Sequence, residues 1–239
     1  MKNFKLLSVL AMCLAAFAFT SCLNSNNDGG SSYMPLTAQE KTYCYTMTSG
    51  SHTGGIIYNS DEHKTASNDY TDTLFTSCNI HTNITKKDTT MTIQNFPVKI
   101  LARYIPESSE TNELKTALKA YDGTVDIESS VFYVTATPIQ FYLYPTKFSV
   151  NLTYGEQEHT VNFYFYSNGT SLCNYGLANS NDNNKLSMKL LLGGYAVDNT
   201  KDDDSNIKKF SYSMGGTNLS SLALVFYEGL TSTGTTSKN

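Results

Sequence analysis

The chain has 239 residues, enough to bury one large core or two small ones, and its 17 basic residues face 21 acidic ones for a formal charge of −4. That balance, with Arg103 as the single arginine, excludes a basic nucleic-acid footprint and the paired guanidinium clusters that grip phosphate. Tryptophan is absent, Tyr and Phe carry the aromatic surface, and Thr, Ser and Asn are abundant between apolar runs, a composition of strands joined by polar turns.

Lys2 and Lys5 precede an apolar run from Leu6 to Phe19 that is too short to span a bilayer, and Thr20 and Ser21 follow it. A basic start, an apolar centre and small residues at the end predict a secretory signal over residues 1–21. The stretch Phe19-Thr20-Ser21-Cys22 resembles the lipobox of bacterial lipoproteins, with a small residue ahead of the Cys. The resemblance implies that Cys22 is the acylated first residue of the mature chain and that a membrane is its partner. Asn24 to Ser32 has no apolar side chain and contains Gly29-Gly30, so residues 22–32 read as an anchor and flexible tether. A β-rich domain is expected over 33–230, and the Ser/Thr/Gly stretch 231–239 reads as a tail that frays.

Within the domain, Tyr33 to Lys41 holds a short predicted helical turn, and Thr42–Ser49 and Ile56–Tyr58 read as the first hairpin around Gly50 to Gly55. A second hairpin is expected from Tyr70–Ile84 and Thr89–Phe96, where Thr90, Thr92 and Gln94 alternate with Met91 and Ile93 until Asn95 breaks the pattern. Val98 to Tyr104 continues as an apolar run. Leu114, Ala117, Leu118 and Tyr121 stand at helical spacing, which predicts one amphipathic helix over Glu107–Tyr121 between two halves of the domain. Beyond it, Phe141–Tyr144, Phe148–Tyr154, Thr160–Tyr166, Leu186–Val197, Ile207–Met214 and Leu222–Tyr227 read as strands, and Phe148–Tyr154 with Thr160–Tyr166 forms the clearest hairpin. The fold class is therefore mainly β, with antiparallel sheets arranged as a sandwich or a closed barrel and one amphipathic helix.

The Phe96-Pro97-Val98 step before Ile100-Leu101 and the Tyr154-Gly155 hairpin resemble a family of Bacteroidetes lipoproteins known only as a domain of unknown function. The likeness covers most of the mature chain. It implies an outer-membrane location, periplasmic or surface-exposed, and a β-rich fold, and it implies no activity.

No reactive constellation stands out. His52, His63, His81 and His159 share no metal-pair spacing, no Gly-x-Ser-x-Gly elbow occurs, and Glu156 and Glu158 read as a solvated turn, so neither a catalytic pair nor a cofactor or metal is expected. Asp198 to Asn206 offers oxygen ligands without the ordered spacing of a calcium loop and reads as a hydrated acidic loop. Gly193-Gly194 and Gly215-Gly216 read as turn or bulge glycines. Cys44, in an expected strand between Tyr43 and Tyr45, reads as a buried thiol, with a Cys44–Cys78 disulfide as the alternative and Cys173 as the third thiol. Asp72-Thr73-Leu74 and Asp88-Thr89-Thr90 resemble the O-glycosylation acceptor pattern of Bacteroidetes. Tyr142, Tyr144, Tyr164 and Tyr166 are the candidate ligand-binding residues, an outward aromatic stripe suited to stacking on sugar rings. The leading expectation is a lipid-anchored, non-enzymatic envelope module whose partner is a glycan or an envelope protein. The alternatives are a lipocalin-like carrier of a small apolar ligand and a polysaccharide hydrolase.

Overall fold

The computed structural model describes residues 35–59, 71–83, 88–166, 172–175, 185–199, 206–210 and 222–230. The signal, Cys22, the tether and the C-terminal tail lie outside the described residues, as do His63, Gly215-Gly216 and most of the Asp198–Asn206 loop.

Thr37 opens the first element. Its hydroxyl accepts from the Glu40 backbone N–H at 3.2 Å while its own N–H donates to Glu40 Oε2 at 2.8 Å, a reciprocal capping box. The helix it starts, α1, runs Ala38–Thr48 and overturns the strand expected over Thr42–Ser49. Cys44 consequently lies on the buried side of a helix rather than in a strand, its thiol 3.8 Å from the Thr135 carbonyl.

After α1 come β1 (Gly50–Asn59), β2 (Thr71–Asn83) and β3 (Asp88–Pro97). Asn95 adopts φ 53° where the β3 pairing shifts, so the break in the sequence alternation marks a bulge. Val98–Tyr104 is a 3₁₀ turn rather than an extended run. The amphipathic helix, α2, is shorter than expected at Asn112–Ala120 and buries Leu114 and Leu118. Then follow β4 (Thr124–Ala136), β5 (Ile139–Pro145), β6 (Phe148–Tyr154), β7 (Gln157–Phe165), β8 (Leu172–Tyr175), β9 (Leu186–Val197), β10 (Lys208–Lys209) and β11 (Ala223–Glu228).

All strand pairings are antiparallel. The ladder runs β11-β1-β2-β3-β4-β5-β8-β9, and β11 also pairs β9, so this curled sheet returns to its starting strand. Of the two architectures left open by the sequence, it is the barrel-like one. Alternate residues of the strands, among them Ile56, Cys78, Met91, Ile93, Phe141, Met188 and Phe226, meet in one core, as the two-residue period of a strand requires.

β9 leaves this ring at Gly193. The β7–β9 pairing shifts between Tyr164 and Phe165, so Gly193 is the extra residue of a bulge, and the rest of β9 pairs β7 and β10 in a second sheet with β6. A Cβ on Gly194 would stand 2.4 Å from the Lys208 carbonyl oxygen, so only glycine allows β10 to approach here.

Candidate functional site

The outer faces of β4 and β5 expose an aromatic platform. Val131 and Tyr133 flank Phe132 on β4, Phe141 and Leu143 flank Tyr142 on β5, and strand alternation turns Phe132, Tyr142 and Tyr144 the other way, to the outside. Phe132 is 48% exposed and Tyr144 39%, while Tyr142 is half-buried directly opposite Phe132 in the register. Paired side chains of this kind stand about 5 Å apart at Cβ, so the rings form one continuous ridge. Exposed Glu128 and Ser130 on β4 and half-buried Gln140 on β5 supply carboxylate, hydroxyl and amide groups around it.

Tyr164 and Tyr166 are elsewhere. Tyr164 sits on β7, which β8 and β9 separate from β5, and Tyr166 follows the end of that strand. The Tyr164 hydroxyl is buried without a hydrogen-bond partner among the described residues, and Tyr166 donates its backbone N–H to the Leu191 carbonyl at 2.9 Å. The structure thus brings Tyr142 and Tyr144 together and sets Tyr164 and Tyr166 apart from them. Phe132 belongs with the first pair, although nothing in the sequence reading singled it out.

A shallow groove of about 450 Å³ lies between α2 and the β6–β7 turn, lined by Glu113, Thr116, Ala117, Thr153, Tyr154 and Gly155 among others. The Tyr154 ring stacks on His159 with centroids 4.1 Å apart. His159 Nδ1 donates to Asp198 Oδ2 at 2.7 Å, and the Thr160 N–H donates to Asp198 Oδ1 at 2.9 Å. The His159 hydrogen bond, helped by Thr160, holds the Asp198 carboxyl below the usual carboxylate range. Burial pushes the Tyr154 phenol up, and the nearby carboxylate of Asp198 adds to this, so the ring stays neutral.

Over residues 47–197, more than half of its length, the chain matches the family described as Domain of unknown function (DUF4840). It belongs to that family. No curated protein and no solved structure matches it. The DUF4840 region contains the platform and the groove, and it leaves out nearly all of α1 and the whole of β11, the strand that closes the ring.

Those two outlying elements are joined through the core of the DUF4840 region by a buried polar chain. His52 Nε2 lies 2.8 Å from the Thr48 carbonyl at the end of α1, and a carbonyl only accepts, so Nε2 carries the proton. Its Nδ1 lies 3.0 Å from Glu228 Oε2, close enough for an ion pair though not aligned as a hydrogen bond. The same oxygen accepts the Leu186 N–H of β9 at 2.8 Å. Alongside, the Thr48 hydroxyl bonds the Tyr133 hydroxyl, fixing α1 to β4.

The remaining candidates are structural. Cys44 and Cys78 are both free and buried, which overturns the disulfide alternative; the side chain of Cys173 lies outside the described residues. Burial pushes both thiols up to about 12, with Glu40 adding to the effect at Cys44 and Glu228 at Cys78, so neither is a ready nucleophile. Among the described residues no three His, Cys, Asp or Glu side chains converge as a metal site, and His81 stands exposed on β2. Thr89 is 4% exposed and its hydroxyl meets that of Thr82 at 3.2 Å, so a glycosyltransferase cannot reach it in the folded chain, whereas Thr73 is partly exposed. Glu156 occupies the exposed β6–β7 turn and Glu158 an exposed position at the start of β7, paired with Thr153.

Proposed function

We propose that this DUF4840 protein is a non-enzymatic module of the outer membrane, anchored by acyl chains on Cys22, that binds glycan chains on the Phe132–Tyr142–Tyr144 platform. One observation carries the reading: the rings of Phe132 and Tyr144 are partly exposed on adjacent strands, with Tyr142 half-buried beside them and hydroxyl, amide and carboxylate groups at their margin. Aromatic faces pack against the C–H faces of pyranose rings, and planar polar side chains at the rim accept and donate to sugar hydroxyls. The interior supports surface recognition over enclosure of an apolar ligand, because Ile56, Met91, Ile93, Phe141 and Phe226 occupy it. The sequence from Lys2 to Cys22 supports the anchor.

Glycan-array binding by the soluble chain from Tyr33 onward tests the platform. Phe132→Ala and Tyr144→Ala are each expected to weaken binding by about tenfold while leaving the melting temperature unchanged, the loss of one stacking contact. Binding retained in the double variant would refute the platform. Mass spectrometry of the amino terminus and detergent-phase partitioning test the anchor separately; an unmodified terminus recovered from the aqueous phase would refute it.

A further inference from the structure

The groove between α2 and the β6–β7 turn has two dissimilar walls. On α2, Glu113, Thr116, Ala117 and Ala120 stand at i, i+3, i+4 and i+7, so they form one stripe, next to the Leu114–Leu118 stripe that is buried. The small side chains of Ala117 and Ala120 leave the space before them open. The other wall is Thr153, Tyr154 and Gly155, from the end of β6 and the turn. Gly155 has φ 56°, and a Cβ there would stand 3.0 Å from Glu113 Oε2, so glycine lets the carboxylate lie against the turn.

Tyr154 supplies an aromatic wall that is fixed in advance. One face of its ring is covered by His159, with centroids 4.1 Å apart, and His159 is itself tied to Asp198 at 2.7 Å. A side chain already held in place loses little freedom when a ligand settles against it. The polar groups around it have unused capacity. Among the described residues, the side chains of Asn112, Glu113 and Thr153 make no hydrogen bond or ion pair, and the Thr116 hydroxyl, which donates to the Asn112 carbonyl at 2.8 Å, can still accept. Carboxylate, amide and hydroxyl groups thus border the same space as the ring. Its volume of about 450 Å³ falls inside the range of about 300–1,000 Å³ usual for small-ligand sites, and its shallow form lets a longer chain continue out of it.

We infer that this groove is a second carbohydrate site, which takes one pyranose unit of a neutral glycan against the Tyr154 ring, with Glu113, Asn112 and Thr153 bonding its hydroxyls. The lining selects this occupant. A pyranose has a C–H face that packs on an aromatic ring and a rim of hydroxyls that needs acceptors and donors together. An apolar ligand would strip water from the Glu113 carboxylate and give it no partner. A uronic acid or a sulfated sugar would set a second negative charge against it. The inference extends the glycan reading to another part of the chain, yet it shares no residue with the Phe132–Tyr142–Tyr144 platform, so either site can fail without the other.

The compact unit begins at Leu36 and holds every described helix and strand, so the chain from Leu23 is the material to test. Neutral trisaccharides of glucose, mannose, galactose and N-acetylglucosamine are titrated in turn at millimolar concentration, and the imidazole resonances of His159 report on the ring stacked against it. A saturable shift with at least one of the four is the expected result. Glu113→Gln weakens that binding by about fivefold to tenfold, the difference between a charged and a neutral acceptor. Ala120→Leu, which adds bulk at an exposed helical position and deletes no contact, abolishes it, while Phe132→Ala combined with Tyr144→Ala leaves it unchanged. Absence of a saturable shift with all four sugars would overturn the inference, as would a shift that survives both Glu113→Gln and Ala120→Leu or one that the platform double variant removes. A saturable shift with N-acetyl-lysine methylamide and with none of the sugars would overturn it too, because the groove would then be a site for an ammonium group.

Discussion

The closing strand offers the most decisive test of the fold, through the substitution Phe226→Ala. Phe226 is 1% exposed and is register-paired with Ile56 on β1 and Met188 on β9, so its ring fills the core at the seam where the ladder returns to its start. Truncation removes a buried aromatic flanked by strands already committed to other partners, and a site of that kind collapses little; the expected loss is about 3–5 kcal/mol. Against a total stability of about 5–15 kcal/mol for a single domain, this is a large fraction. Tyr227→Ser provides the control, because this neighbour of Phe226 points outward and is nearly half exposed; its cost should stay within about 0.5 kcal/mol. Urea denaturation followed by far-UV circular dichroism reads both, with the expected effect of Phe226→Ala in the midpoint rather than the slope. A loss below about 1 kcal/mol for Phe226→Ala would refute the reasoning, since the core would then not depend on the strand that seals it.

Two further outcomes follow from specific contacts. Gly194→Ala places a methyl 2.4 Å from the Lys208 carbonyl, and backbone must move to relieve it; the expected cost is about 1–3 kcal/mol, and hydrogen exchange should show lost protection at Phe210, whose N–H donates to Gly193. Cys44 and Cys78 make stability pH-dependent at the alkaline end. Their pKa values rise from 9.0 to about 12 on folding, so their contribution is complete below about pH 9 and is lost progressively as pH climbs towards 12, when the unfolded chain ionises first. Iodoacetamide labelling near neutral pH is accordingly expected to spare both thiols until denaturant is added, and rapid labelling of the native chain at either would contradict their burial.

Several features were legible in the residues. The β6–β7 hairpin, the apolar face of α2 and the bulge at Asn95 all declare themselves through local periodicity. The error at α1 has a local cause as well. Thr42, Tyr43, Tyr45, Thr46 and Thr48 favour a strand by type, yet Thr37-Ala38-Gln39-Glu40 spells a capping box, and burial of Cys44 and Thr48 against β4 completes the helix. β4 escaped notice because Ser129 interrupts the inward series of Ile127, Val131 and Tyr133, and with it went Phe132, the most exposed ring of the platform. The separation of Tyr164 from Tyr142 was beyond local pattern altogether. Strand order is set by pairings such as β5 with β8 and β9 with β11, which depend on contacts remote in sequence.

Leu186–Val197 serves two ladders at once, one half of the strand sealing the ring and the other half carrying the hairpin beside α2. A cut anywhere in the chain that severs this strand from its neighbours unravels both structures together. Unfolding should therefore proceed as a single event, and a fragment ending at residue 197, which would keep the whole family-matched stretch, would be left with an unzipped edge and a tendency to associate with others of its kind.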